Sequence, residues 1–319
     1  MQPIIPKFFL YYNRYMIKEV KWRGKRWIYG DRPTSEEINN LAENYNIHPV
    51  VVEELSHATL RPKVDRFQNF LYLILHFPVF NPETKTSLGA EIDFIIGKDF
   101  LITISYEENE ALSGFFSDLQ KNQEETERIF SSGIEMVFYQ LLSRLYDFAM
   151  RELDHIKLKI DAIDARLAAR EDEATIQEIF FLRRDILNFR RAIKPHETTV
   201  NSLEIHGTNF FGKEIQPYFK DIIGEYSKVW NMLENHKETI ETLYDTNISF
   251  LSMRSNEIMK RLTLMAFVTF PLTLIAAIFS MNITPDSFLG PPYDFLIILG
   301  VIVISILSML TFFKHRKWF

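Results

Sequence analysis

The sequence predicts an α+β membrane protein: a cytosolic α/β domain with long helices, and a long stalk helix that continues into the first of two C-terminal transmembrane helices. Three observations lead to this fold class. Runs rich in β-branched and aromatic residues occupy the first third of the chain, apolar residues at helical spacing follow, and two charge-free runs lie near the C-terminus. The charge-free runs indicate a membrane protein, because each is long enough to cross a bilayer as a helix.

The composition allows a sizeable folded part outside the membrane. The chain has 319 residues, of which 47% are hydrophobic and 24% charged, and it has no cysteine, which excludes disulfides and thiolate metal sites. A formal charge of -6 argues against a nucleic-acid partner, since such proteins usually carry a basic face. The first 22 residues hold only a brief apolar stretch and no small-residue cleavage site, so we expect no signal peptide.

Residues 1–131 are expected to form the cytosolic α/β domain. Thr34 and Glu37 have the spacing of a capping box, which predicts the start of a helix. The runs FLYLILHFPVF, EIDFIIG and FLITISY then predict three strands, separated by the turn signals NPETKTSLG and GKD. A mainly antiparallel sheet with flanking helices follows from this pattern.

Residues 132–217 are expected to form long helices. Apolar residues recur there at a spacing of three to four: Met136, Phe138, Leu141, Leu142, Leu145, Phe148 and Ala149. A second helical pattern runs over residues 173–194, after a turn marked by Glu171, Asp172 and Glu173. Pro195 is expected to end that helix, and an irregular stretch is expected around Gly207 and Gly212.

The stalk helix is predicted over residues 218–262, continuous with the first span. Between Tyr218 and Met281 there is no proline except Pro271 and no glycine after Gly224, so a helix of about 60 residues, on the order of 90 Å, can form unbroken. A helix of that length exceeds what is needed to anchor a compact domain.

Residues 263–281 and 295–313 are the two predicted spans, each about 19 residues or roughly 28 Å as a helix. Basic residues precede the first span and follow the second. They are Arg254, Lys260 and Arg261 before the first span, and Lys314, His315, Arg316 and Lys317 in the tail, residues 314–319. The loop, residues 282–294, carries only Asp286 and Asp294 as charges. The positive-inside rule therefore puts both termini in the cytoplasm of a multi-pass cell (inner) membrane protein.

Two apparent motifs lead to no site. GTNFFGKE, residues 207–214, resembles a phosphate-binding loop, but Glu214 stands where the motif needs a serine or threonine for magnesium. The eight histidines have no metal-ligand spacing, and ordinary roles are expected for His196 and His206 even if they meet in space. We therefore expect no enzyme, no nucleotide and no organic cofactor.

A stripe of small, hydroxyl-bearing or flexible residues follows one face of the first span. Its members are Asn256, Met259, Thr263, Ala266, Phe270, Thr273 and Ala277, followed by Ser280 or Met281. Close helix packing in the membrane and a pore lining both explain such a stripe. A pore requires several subunits, because two helices cannot enclose a water-filled path.

The sequence resembles the CorA family of magnesium channels over nearly the whole chain. The resemblance rests on RPKVDRFQNFLYLILHFPV and EIDFIIGKDFLITI in the first third, on YFKDIIGEYSKVW and SFLSMRSNEIMKRLTLMAFVTFPLTLIAAIF, and on the closing KHRKWF. The family's Gly-Met-Asn signature reads Ser280-Met281-Asn282 here, its loop reads TPDSFLGPP, and Ala277 stands where the family often has glycine. The departures bear on ion selectivity, because related zinc transporters carry a more tolerant version of the motif.

The resemblance implies a homopentameric funnel in the membrane lipid, with the first spans around a pore and the second spans outside. Asn282 would be the selectivity filter with Met281 and Ser280, and an apolar gate would include Met259, Leu262 and Phe270. The implied function is passive uptake of Mg²⁺, driven by the membrane potential. A zinc, cobalt or nickel transporter of the same fold and a non-conducting membrane-tethered sensor remain the alternatives.

The resemblance also implies regulation by cytoplasmic Mg²⁺ bound between subunits. Asp221 matches the family's stalk carboxylate through Tyr218-Phe219-Lys220. Its partner would come from the α/β domain, where Glu91 and Asp93 are the candidates, and Asp245 is a weaker candidate in the stalk.

Overall fold

The computed structural model describes residues 17–59, 61–81, 86–169, 174–280 and 293–315. Its contacts divide the chain into two units, Met1–Tyr244 and Asp245–Phe319. The predicted filter residues Met281 and Asn282, most of the loop, the turn at Glu171–Glu173 and the last four residues of the basic tail lie outside the described residues.

The first unit is built on one six-stranded sheet, and all but one of its strand pairs are antiparallel. The strands are β1 (Ile17–Trp22), β2 (Lys25–Asp31), β3 (Lys63–Arg66), β4 (Leu71–Asn81), β5 (Thr86–Ile96) and β6 (Phe100–Ser105). Their order is β1-β2-β6-β5-β4-β3, with β2 parallel to β6. Strands β4 and β5 form a long hairpin in which Leu71 lies opposite Ile96.

Alternate residues of β4 enter two different hydrophobic cores. Leu71, Leu73 and Leu75 lie in the larger core, whereas Tyr72 and Ile74 lie in the smaller one. Because successive side chains of a strand point to opposite faces, a strand covered on both sides needs an almost unbroken apolar run. This requirement explains the run LYLIL.

The helices cover the two faces unequally. Helices α1 (Ser35–Tyr45) and α2 (Pro49–Leu55) cover the smaller core. The larger core is covered by α3 (Glu110–Lys121), α4 (Gln123–Ser131), α5 (Ile134–Ala168), α6 (Ala174–Ile193), α7 (His196–Phe211) and the first part of α8 (Gln216–Ser280).

Several predictions of local structure are confirmed. The Thr34 side chain accepts from the Glu37 backbone N–H at 3.3 Å, and the Thr34 backbone N–H donates to Glu37 Oε2 at 2.8 Å, so the capping box forms. The three predicted strands form β4, β5 and β6, the 132–168 pattern forms α5, and residues 216–280 form one 65-residue helix.

The expected irregular stretch around Gly207 is wrong, because residues 196–211 form helix α7. A Cβ at Gly207 would lie 2.3 Å from Cε2 of Phe219, whose side chain is buried at 1% exposure. This glycine therefore permits close approach to α8 and does not end a helix. Gly212, with a φ of 109°, is the residue that caps α7.

The turn predicted over residues 81–89 is too long. Strand β5 already begins at Thr86, where two polar side chains of α6 hold it. The Ser87 backbone N–H donates to Asp185 Oδ1 at 2.5 Å, and Asn188 Nδ2 donates to Thr86 Oγ1 at 2.8 Å. These contacts extend the strand into residues whose composition suggests a turn.

The second unit contains the end of α8 and helix α9 (Tyr293–His315). Among the described residues, one helix is long and apolar enough, by length and composition, to cross a membrane. It covers residues 213–278, and 6% of its most apolar 18-residue stretch is buried. A shorter apolar helix covers Leu299–His315. Pro271 lies inside α8.

Candidate functional site

The predicted pore stripe and the predicted gate residue Leu262 lie on the C-terminal half of α8, and their large apolar side chains are exposed. Met259 is 58% exposed, Leu262 54% and Phe270 71% in the isolated chain. Apolar side chains exposed to this extent are costly in water. Asn256, Thr263, Thr273 and Ala277 are exposed on the same helix.

The stripe's threonines donate their hydroxyl protons within α8. Thr263 Oγ1 donates to the Met259 carbonyl and Thr273 Oγ1 to the Phe270 carbonyl, each at 2.8 Å. Such bonds satisfy the hydroxyl inside a helix and leave the lone pairs of its oxygen as acceptors. The stripe therefore offers oxygen atoms between apolar side chains. Ser280, the first predicted filter residue, is the last residue of α8.

Asp221 lies exposed on the stalk part of α8 and is bonded to α5. Tyr139 Oη donates to Asp221 Oδ2 at 2.7 Å. Burial, followed by this hydrogen bond, raises the pKa of the Tyr139 phenol. Asp221 is thus held on one oxygen by its own subunit.

Glu225, one turn after Asp221, makes a second bond to α5. Ser143 Oγ donates to Glu225 Oε1 at 2.8 Å. Burial raises the pKa of Glu225; the Ser143 bond opposes this, while the charges of Asp147 and Asp221 add to it. The other carboxylate oxygen, Oε2, is buried and has no hydrogen-bond partner within the described residues.

Glu91 and Asp93, the predicted partners of Asp221, lie in the interior with 4% and 1% exposure. Asp93 contacts Tyr106 Oη at 2.6 Å and Tyr72 Oη at 3.4 Å, on the face of the sheet that α1 and α2 cover. Asp221 belongs to the helical layer on the opposite face, so the structure does not bring Asp221 and Asp93 together within a subunit.

Glu91 is occupied by neighbours in its own subunit. Its Oε2 accepts from the Thr59 backbone N–H at 2.5 Å and lies 3.1 Å from His76 Nε2. Asp245 is exposed on α8 at the start of the second unit. Within the described residues, no group of three or more histidine, aspartate or glutamate side chains has a geometry that could hold a metal ion.

His196 lies in the core of the first unit, one of the ordinary roles expected for it. His196 is fully buried, with Nδ1 2.9 Å from Tyr146 Oη and Nε2 3.0 Å from the His76 carbonyl. Burial lowers the pKa of His196 to about 3, so the ring is neutral. Gly207 lies inside α7 and not in a loop, so the apparent phosphate motif does not form.

Tyr139 and Ser143 are residues that the sequence analysis missed. They lie four apart on α5 and face Asp221 and Glu225, four apart on α8. The equal spacing was visible in the sequence. Which two helices pack side by side was not, because helical periodicity identifies a buried face and not its partner.

A family model and several known transport proteins match this chain. The family model "CorA-like Mg2+ transporter protein" matches residues 22–315. The cobalt/magnesium transport protein CorA of Thermotoga maritima is 25% identical over 291 residues, covering 89% of this chain and 80% of that protein. The putative metal ion transporter YfjQ of Bacillus subtilis is 25% identical over 293 residues, covering 92% and 89%.

The fold is also found among solved structures. The complete structure of the CorA magnesium transporter from Methanocaldococcus jannaschii aligns with a TM-score of 0.80 at 20% identity, covering 95% of this chain and 94% of that one. The match extends beyond the first unit, since the coverage exceeds that unit's share of the chain.

Proposed function

This chain belongs to the CorA-like Mg²⁺ transporter family, and on that premise we propose that it forms a channel for passive Mg²⁺ uptake across the cell membrane. The observation that carries the proposal is the stripe on α8, where oxygen atoms alternate with apolar side chains that are exposed in the single chain. A divalent ion gains about 4.6 kcal/mol per 100 mV of inside-negative potential, twice the figure for one charge, so the potential suffices to drive uptake.

The pore is proposed to form from five copies, each contributing α8. A ring of subunits would cover the exposed side chains of Met259, Leu262 and Phe270 and turn them into an apolar constriction, which blocks ions by dewetting. Asn282 would close the outer end with a ring of amide oxygens. Such a ring suits hydrated Mg²⁺, because this ion sheds its waters reluctantly.

Ion flux into proteoliposomes tests the function. The purified protein is expected to admit Mg²⁺ under an inside-negative potential, and Asn282→Ala is expected to abolish uptake at low Mg²⁺ while the oligomer persists. Zn²⁺, Co²⁺ and Ni²⁺ are measured in parallel, because Ser280 replaces the glycine of the family signature. Faster flux of one of these ions would favour the alternative transporter, and absence of all flux would favour a non-conducting sensor.

The topology is proposed to be two spans with both termini in the cytoplasm. The chain has no cysteine, so single cysteines introduced by Leu289→Cys in the loop and Lys314→Cys in the tail are unique labelling sites. A membrane-impermeant thiol reagent added to intact cells is expected to label the first and not the second. Labelling of Lys314→Cys from outside would contradict the topology.

Regulation is proposed to act through Mg²⁺ bound at Asp221 between neighbouring subunits, stabilising a closed state when cytoplasmic Mg²⁺ is high. Asp221 is exposed, as an intersubunit ligand must be. Glu91 and Asp93 are buried in their own subunit, so the partner ligand has to come from elsewhere or from a rearranged domain. Asp221→Lys supplies a fixed positive charge and is expected to keep the oligomer resistant to protease even in chelator.

A further inference from the structure

Two hydroxyl–carboxylate bonds connect α5 and α8 in the same order along both helices. We call them the ladder: Tyr139 Oη to Asp221 Oδ2 at 2.7 Å, and Ser143 Oγ to Glu225 Oε1 at 2.8 Å. Residues four apart on a helix share one face, so both bonds belong to a single contact between the helices. The two bonds differ in exposure, because Asp221 is exposed and Glu225 is partly buried.

The Tyr139 phenol is fixed before it reaches Asp221. Its ring is partly buried against the larger core and packs edge-on against Tyr218, with ring centroids 5.1 Å apart and an interplanar angle of 65°. Tyr218 lies three residues before Asp221 on α8. The hydroxyl therefore approaches the carboxylate from a set direction.

This bond divides the two oxygens of Asp221 between two tasks. Oδ2 is held by Tyr139, and Oδ1 has no hydrogen-bond donor among the described residues. A carboxylate held on one oxygen presents the other in a fixed orientation, which reduces the entropy that a cation must remove on binding. Hydrogen-bond partners of metal-binding carboxylates act in this way, and losing one typically weakens metal affinity 10–100-fold.

We propose that Tyr139 is a positioning residue that orients Asp221 for a divalent cation. The proposal rests on the proposed function, in which Asp221 binds regulatory Mg²⁺. Tyr139 does not itself touch the ion: it holds Oδ2 and leaves Oδ1 of the exposed Asp221 to accept it. Ser143 plays no part in binding, because its bond is to Glu225.

A purely structural role for Tyr139 leads to a different expectation. If the ladder served only to hold α5 against α8, removing either bond would lower stability and leave the Mg²⁺ dependence unchanged. Ser143→Ala is the matched control, since it removes the other bond of the same helix pair without touching Asp221. Tyr139→Phe removes only the hydroxyl and retains the ring that packs on Tyr218.

The experiment is limited proteolysis of the full-length protein in detergent over a titration of Mg²⁺, in four versions: wild type, Tyr139→Phe, Ser143→Ala and Asp221→Asn. We expect the Mg²⁺ concentration that gives half-maximal protection to rise about tenfold in Tyr139→Phe. In Ser143→Ala this concentration is expected to stay within about twofold of wild type. In Asp221→Asn, protection is expected to be independent of Mg²⁺. Thermal unfolding in chelator is measured for each variant, so that a loss of stability is separated from a loss of affinity.

The outcomes separate the two proposals. An unchanged or lower midpoint in Tyr139→Phe, with Asp221→Asn insensitive to Mg²⁺, overturns the role of Tyr139 and leaves the regulatory site standing. Equal shifts in Tyr139→Phe and Ser143→Ala overturn it as well, in favour of helix packing. Wild-type behaviour in Asp221→Asn, or a wild type whose protection does not respond to Mg²⁺, removes the regulatory site and with it the inference.

Discussion

Tyr106 Oη lies 2.6 Å from Asp93 Oδ2, and the same hydroxyl lies 3.0 Å from the Leu55 carbonyl. A hydroxyl has one proton and a carbonyl can only accept, so Tyr106 cannot donate to both. Both contacts are hydrogen bonds if Asp93 is protonated and donates to Tyr106, which donates to Leu55. Burial raises the pKa of Asp93 well above its usual range, which agrees with a neutral acid.

Asp93→Asn tests whether the buried acid is neutral. The folded-state pKa is raised, so Asp93 contributes stability at acid pH that is lost as pH rises toward the folded pKa, by about 1.4 kcal/mol per pH unit. Asparagine keeps a donor and an acceptor and does not titrate. The difference in thermal unfolding temperature, variant minus wild type, is expected to become more positive from pH 5 to pH 8, because only wild type loses this stability.

The control for this experiment must leave the charged and titratable groups around Asp93 unchanged. Tyr72, Tyr106, Glu91 and Glu54 act on it, and Lys63 binds Glu54 at 2.7 Å. Asp164→Asn changes an exposed carboxylate on α5 and is expected to leave the pH profile as in wild type. A pH-independent difference between Asp93→Asn and wild type would show that Asp93 is ionised in the folded protein.

The contribution of His196 to folding stability is expected to depend on pH with the opposite sign to that of Asp93. Its folded pKa is lowered to about 3 from 6.5, so the unfolded chain takes up the proton first as pH falls. Stability should then decrease below about pH 6.5 by about 1.4 kcal/mol per unit for this group. His196→Gln, which retains a donor for the His76 carbonyl and an acceptor for Tyr146, is expected to flatten the acid limb of the unfolding profile. An unchanged acid limb would contradict the assignment.

Gly207 and Gly224 form a matched pair of helical glycines. A Cβ at Gly207 meets the buried ring of Phe219, whereas one at Gly224 meets nothing within 4 Å. Gly207→Ala is expected to lower the free energy of unfolding by about 1–3 kcal/mol through overpacking. Gly224→Ala is expected to raise it by about 0.5–1 kcal/mol through helix propensity. Denaturant unfolding followed by tryptophan fluorescence measures both, and a tolerated Gly207→Ala would refute the close approach.

Met259→Ser and Phe270→Ser test the apolar constriction. A hydroxyl in place of an apolar side chain hydrates the pore, so basal ion leak into proteoliposomes is expected to rise in both variants. Met265→Ser is the control: at 100° per residue, Met265 lies about 140° around α8 from Phe270 and about 120° from Met259, outside the stripe, and it is 63% exposed in the single chain. Leak at the wild-type level in both test variants would place the constriction elsewhere.

The sequence predicted the elements whose pattern is strong and missed those whose pattern is mixed. Strands β4 and β6 are largely apolar, β5 ends in the apolar run Phe94–Ile96, and α5 and α8 have long helical periodicity. Strand β1, at an edge of the sheet, mixes three charged with three apolar residues over six positions, and it was not predicted. Helix α7 was missed because its glycine was interpreted as a breaker, although the nearby Phe219 explains it.

Prediction of the site residues from the sequence was limited in the same way. Asp221, for which the resemblance implies a metal-ligand role, is exposed, whereas Glu91 and Asp93 are buried. Strand alternation places residues 91, 93 and 95 on one face, but only the path of α1 and α2 decides that this face is covered. Burial of a strand face depends on tertiary packing, which composition does not encode.

The contacts that hold the first unit together join residues far apart in the chain, and this separation bears on synthesis. Trp27 bonds to Thr103, 76 residues later, and Tyr139 bonds to Asp221, 82 residues later. Contacts so far apart in the chain close slowly, because a long loop must be ordered first. Yet every residue of the first unit is translated before the apolar run that starts at residue 263. All residues of the sheet and of the α5–α8 contact are therefore synthesised before that apolar run, so their slow pairing can begin while the run is still being made.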